Sequence, residues 1–198
     1  MRHGLFLFFL FGLFILGCLV INGIPQASVN LDLTGIGSAW DAYIANPGGE
    51  TALSVYQLLP ANWSPRRVQL PPEIKEKFTK NFNVLESRIY GGERNSLKLA
   101  FRLFTIADKE MQESLVKIIG YLLRFNTRLF LQELQNHEQL VPDLEQLLCS
   151  FRLSAPDDKA QQNLEKNIRL KALSYIEDKD LKAIRKKCIK ILNKVKIE

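Results

Sequence analysis

Beyond position 3 the chain has a single histidine, His137, and that scarcity limits the chemistry open to it. Acyl transfer by a Ser-His-Asp or Cys-His arrangement needs a base that ionises near neutrality, and imidazole is the usual one. His137 stands at the end of a predicted helix, after Leu134, where a partly charged ring complements the helix dipole. It therefore reads as a capping residue rather than a base. Glu133 lies four positions earlier on the same helix face and offers a second metal donor. A catalytic metal wants three donors and the chain has no HExxH motif, so no metal is expected.

Glycoside cleavage needs only two carboxyl groups, about 5–9.5 Å apart. Glu73 with Glu76 and Glu110 with Glu113 are the candidate pairs, but each falls in a first helical turn, where acids are favoured electrostatically. The phosphate-cradling GxxxxGK[ST] motif is absent, and Gly35-x-Gly37 lacks the third glycine and the preceding strand of a dinucleotide fingerprint. No cofactor and no catalytic residue is expected from these patterns.

Three cysteines are present, Cys18, Cys149 and Cys188. Without a CxxC motif, thiol redox chemistry and structural zinc are not indicated. In an oxidising compartment Cys149 and Cys188 form a candidate disulfide, and closing a loop of about 40 residues stabilises by roughly 3–4 kcal/mol. The competing reading is that each is a small buried apolar residue. Cys188 continues the stripe Leu181, Ile184, Ile191, Val195, and Cys149 sits among Leu144, Leu147, Leu148 and Phe151.

Two segments are candidate binding surfaces. In Asn62-Trp63-Ser64-Pro65-Arg66-Arg67, an indole and two guanidinium groups share a loop, and Trp and Arg are over-represented where contacts carry most energy. The C-terminal segment places Lys182, Arg185, Lys186, Lys187, Lys190, Lys194 and Lys196 beside the Cys188 stripe. The formal charge of +6 is concentrated there, residues 157–198 holding twelve basic and seven acidic side chains. Lys186, Lys187 and Lys190 are its central candidates, for anionic lipid or an acidic envelope polymer; the alternative is a solvated outer face. Nucleic acid is not expected, because the segment lacks interleaved aromatics.

The elements that position these residues are helical throughout. Ile74, Phe78, Phe82, Leu85 and Ile89 recur at helical spacing after Pro71-Pro72-Glu73 and stop at Gly91-Gly92. Asp108 separates an apolar run over 97–106 from another over 115–123, Asn126-Thr127 marks a stop and start, and Val141-Pro142-Asp143 opens a helix through Phe151. A long helix follows Ser154-Ala155-Pro156-Asp157, with Leu164, Ile168 and Leu173 inward, and Asp178-Lys179-Asp180 begins the last. An earlier helix runs from Ala39 to Asn46 behind Ser38, and another carries Leu53, Val55, Tyr56, Leu58 and Leu59. No segment alternates as a half-buried strand does. The expected fold is all-α: an array of antiparallel helix pairs forming a short solenoid-like superhelix, or alternatively a compact helical bundle.

Residues 1–27 are set apart. After Arg2 and His3 the chain is apolar from Leu5 to Ile21 except at Gly12, Gly17 and Cys18, and a helix apolar on every face cannot share a water-soluble core. The pattern is that of an export signal or a membrane anchor, with residues 28–37 as a polar tether and 38–198 as one helical domain. Ile15-Leu16-Gly17-Cys18 resembles the lipobox of bacterial lipoprotein signals, which implies acylation of Cys18 and a membrane-held chain in the cell envelope. A single-pass anchor and a released secreted protein are the alternatives.

Residues 95–126 resemble a helix pair of the HEAT or armadillo kind, with Asp108 at the turn. These readings lead to an exported, membrane-tethered helical protein with a structural or protein-interaction role. The alternatives are an envelope hydrolase with an unrecognised carboxylate site and an anionic lipid or polymer binder working through the basic C-terminal helix.

Overall fold

The computed structural model describes residues 32–62 and 70–197, and among them every regular element is helical. In chain order these are α1 (Leu33–Ala45), α2 (Gly49–Leu58), α3 (Pro72–Lys80), α4 (Phe82–Tyr90), α5 (Arg94–Leu103), α6 (Lys109–Leu122), α7 (Thr127–His137) and a 3-10 turn (Glu138–Leu140). Then follow α8 (Leu144–Leu148), α9 (Phe151–Ser154), α10 (Lys159–Ser174) and α11 (Lys182–Lys194). No helix among the described residues is long and apolar enough to cross a membrane.

Side-chain caps set the helix starts. Asp108 accepts from the Met111 amide at 3.0 Å, Asp143 from Gln146 at 2.9 Å and Asp158 from Gln161 at 2.8 Å, each satisfying a donor the helix cannot. Glu93 takes two amides, Asn95 at 2.9 Å and Ser96 at 2.6 Å, after Gly92 has turned the chain at φ 84°. Asp32 caps α1 through the Gly35 amide at 2.8 Å, so the expected tether is already helical from Leu33 and Ser38 is not the cap. Two expected helices are each divided. The one over 72–90 breaks at Asn81, whose amide nitrogen donates to the Lys77 carbonyl at 2.9 Å. The one after Asp143 breaks at Cys149-Ser150.

Helices adjacent in sequence pack in pairs, α1 with α2, α5 with α6 and α10 with α11. The pair α5–α6 occupies the centre: α5 also packs against α2, α4 and α7, and α6 against α4, α8 and α9. Its position explains its composition. α5 buries Leu97, Leu99, Ala100, Phe101 and Leu103 around most of its circumference, as only an interior helix can. Trp40 of α1 packs among Tyr43, Phe78 and Phe82, and its indole nitrogen donates to the Lys77 carbonyl at 2.9 Å. The buried Tyr43 hydroxyl meets Ser96 Oγ at 2.9 Å, fixing α1 on α5. Lys75 joins the starts of α3 and α6 by pairing with Asp108 at 2.8 Å and Glu110 at 2.7 Å.

The buried side of α10 is polar, contrary to the expectation of an inward Leu164, which is 52% exposed. Gln162, Glu165 and Arg169 face the protein, together with Leu173, which is inward as expected. The cause lies in the neighbouring segment. Breaking the chain at Cys149-Ser150 and again near Ala155 takes backbone carbonyls out of the helical ladder, where side-chain donors of α10 reach them. Gln162 donates to Ala155 O at 2.7 Å and Pro156 O at 2.9 Å, while Arg169, 1% exposed, donates to Leu148 O at 2.8 Å and Ser150 Oγ at 3.0 Å. On the other side of that break α6 approaches so closely at Gly120 that a Cβ would lie 2.4 Å from both Leu147 O and Ser150 Oγ.

Candidate functional site

His137 closes a junction of three helices. The carbonyl of Glu133 can only accept, so the 2.9 Å contact from His137 Nδ1 places the proton on that nitrogen. In the neutral ring the Nε2 lone pair then faces the Tyr56 hydroxyl of α2, 3.4 Å away. The imidazole stacks on Phe101 of α5 with centroids 5.6 Å apart, and Arg102 lies over the Tyr56 ring at 4.2 Å while donating to Pro60 O at 3.0 Å. Burial lowers the His137 pKa; the Glu133 carbonyl and carboxylate oppose that, and Arg102 and Lys98 add to it. The expected partly charged cap is thus a buried ring, 7% exposed, held toward its neutral form.

Glu133 is 1% exposed. Its Oε1 pairs with Arg94 Nε at 3.3 Å, and Oε2 lies 3.6 Å from His137 Nδ1 without a hydrogen bond. Among the described residues no group of three His, Cys, Asp or Glu side chains is placed to hold a metal ion. Of the carboxylate pairs only Glu73 and Glu110 lie in a first turn, Glu76 and Glu113 falling one turn later; Glu110 pairs with Lys75, and Glu76 with Lys80 at 2.5 Å, which lowers its pKa. A polar cleft of about 270 Å³ opens between Arg94, Gln132, Gln135 and Asn136 on one side and Asp178 and Asp180 on the other. Neither carboxylate pair lines it, and Asp178 is engaged with Arg128 at 3.1 Å.

Cys149 and Cys188 are both buried and both free thiols in this structure. Burial pushes Cys149 up to about 11 and Cys188 up to about 12, so neither is a thiolate near neutrality. Cys18, Trp63, Arg66 and Arg67 lie outside the described residues.

The basic C-terminal helix is sorted by its contacts. Arg185 donates to the Ile176 carbonyl and Lys187 pairs with Glu138, so both are engaged with the protein itself. Carbonyls just past the end of α11 are taken by donors from other elements: Lys166 reaches Val195 O at 2.7 Å and Arg152 reaches Lys196 O at 2.8 Å. Lys182, Lys186, Lys190 and Lys194 are exposed, and their side chains have neither an ion pair nor a hydrogen bond among the described residues. Two of the three central candidates, Lys186 and Lys190, therefore belong to an open cationic row, and Lys187 does not.

Sequence reasoning did not identify Tyr56, Arg102 or Arg169 as partners in buried polar contacts. The i, i+4 spacing of Arg94, Lys98 and Arg102 is the one signal that α5 carries a basic edge toward α7. Comparison with protein-family models, curated proteins and solved structures finds no match to this chain.

Proposed function

We propose that this chain is an exported, membrane-tethered helical protein that works by contact and not by catalysis. The junction at His137 carries the reading. The one imidazole of the helical domain has Nδ1 committed to the Glu133 carbonyl and Nε2 facing Tyr56, and it is buried against Phe101, so its base is spent on joining α2, α5 and α7. A general base must reach a substrate proton within hydrogen-bond distance, and this ring presents no nitrogen to solvent-borne substrate. The apolar run Leu5–Ile21 and the lipobox-like Ile15-Leu16-Gly17-Cys18 support export and tethering.

Intact-mass measurement on fractionated cells tests the proposal. The expected species sits in the membrane fraction, either beginning at an acylated Cys18 or retaining the leader as an anchor. Recovery of the unprocessed chain from cytosol refutes it.

A further inference from the structure

We infer that α11 docks the folded domain onto an anionic bilayer surface through Lys182, Lys186, Lys190 and Lys194. Successive members are four residues apart, so each lies about 6 Å further along the axis and about 40° further round it. The row spans about 18 Å, and its mean direction is about 180° from that of the buried stripe Ile184, Cys188, Leu192. It is therefore the outermost line of the helix, free to lie against a plane without unpacking α11 from α7, α8 or α10. No acidic residue occurs within α11 to neutralise it, and the two basic residues nearest the protein, Arg185 and Lys187, are already engaged.

The chemistry favours a bilayer over a soluble polyanion. Lysines are point charges on flexible stems, suited to laterally mobile headgroups. A polymer chain is held by grooves, guanidinium forks or aromatic platforms, and the row has none of these. The inference rests on the proposed tethering only for the local concentration a tether supplies; the charge complementarity is independent of it. Each lysine near an anionic surface contributes roughly fivefold to partitioning, so the four together give up to several hundredfold.

The test uses the full chain with vesicles of phosphatidylcholine alone and of phosphatidylcholine containing phosphatidylglycerol, separated by flotation. The quantity read is the ratio of binding to anionic and to neutral vesicles, because partitioning of the N-terminal segment contributes to both. The variant K182E/K186E/K190E/K194E is expected to bring that ratio close to one, and the corresponding Lys→Gln variant to lower it by at least tenfold. Circular dichroism reports whether each is folded. An equal charge reversal elsewhere, K109E/K117E/K159E/K171E, is expected to keep most of the ratio.

An unchanged ratio in the row variants overturns the inference, as does an equal fall in the control. So does loss of polyphosphate binding in the row variants while the vesicle ratio stands, which makes a soluble polyanion the partner. Failure of wild-type chain to bind neutral vesicles counts against the tether alone, since the anionic arm still reads the row.

Discussion

Replacing Arg169 with methionine removes the donor that ties α10 to the break between α8 and α9. Arg169 Nη1 serves Leu148 O at 2.8 Å and Ser150 Oγ at 3.0 Å, and the guanidinium lies over the Phe151 ring at 5.0 Å. Its Nε is 4.0 Å from Glu165 Oε2, so the pairing with that carboxylate is Coulombic, while Glu165 Oε1 is hydrogen-bonded by Arg124 at 2.6 Å. Burial lowers the Arg169 pKa to about 10, which leaves the group charged at neutral pH.

Methionine fills much of the volume but leaves the Leu148 carbonyl unsatisfied, at a cost of about 1–3 kcal/mol. Glu165 loses its second cation but keeps Arg124, so the loss is below the roughly 3–5 kcal/mol of a fully orphaned buried charge. Together these predict destabilisation of about 3–4 kcal/mol and a fall in Tm on the order of 10 °C. Urea unfolding followed by circular dichroism measures it. R169K should recover little, because an ammonium is more strongly hydrated than a guanidinium, costs more to bury, and has no planar face to lay over the Phe151 ring. A loss under about 1 kcal/mol for R169M means that water or a neighbour satisfies the carbonyl, and the account of α10's polar face fails.

Gly120→Ala should destabilise by about 1–3 kcal/mol by forcing α6 away from Ser150, while Gly48→Ala, where nothing lies within 4 Å, should not reproduce that loss; thermal melts compare the two. His137 has a folded-state pKa lowered by burial, so its contribution to stability is fully present above the unfolded value, about 6.5, and is lost as pH falls below it. Stability measured across that window should drop by up to about 1.4 kcal/mol per pH unit, and H137N should flatten that part of the profile. Cys149 and Cys188, as buried thiols raised to about 11 and 12, should resist alkylation in native protein at mildly alkaline pH and react on unfolding. Peptide mapping by mass reads this, and native labelling at the rate of a free thiol contradicts it.

The starts and stops of helices were legible in the sequence because they are local. Pro72, Asp108, Asn126, Asp143 and Gly92 act within a turn or two of themselves, so the all-α character and the pair α5–α6 followed from spacing and caps. Tertiary structure decided which face of α10 is buried. Spacing alone places Leu164 inward, but the carbonyls of Leu148, Ala155 and Pro156 belong to other segments, and only their placement gives Gln162 and Arg169 their acceptors.

The same reason governs the two polar regions. That His137 meets Tyr56, 81 positions away, and that Lys187 is drawn to Glu138 while Lys182, Lys186, Lys190 and Lys194 stay open are consequences of chain crossings. Composition places charge on a helix; the partner across the gap decides whether that charge is spent inside the protein or left for another surface.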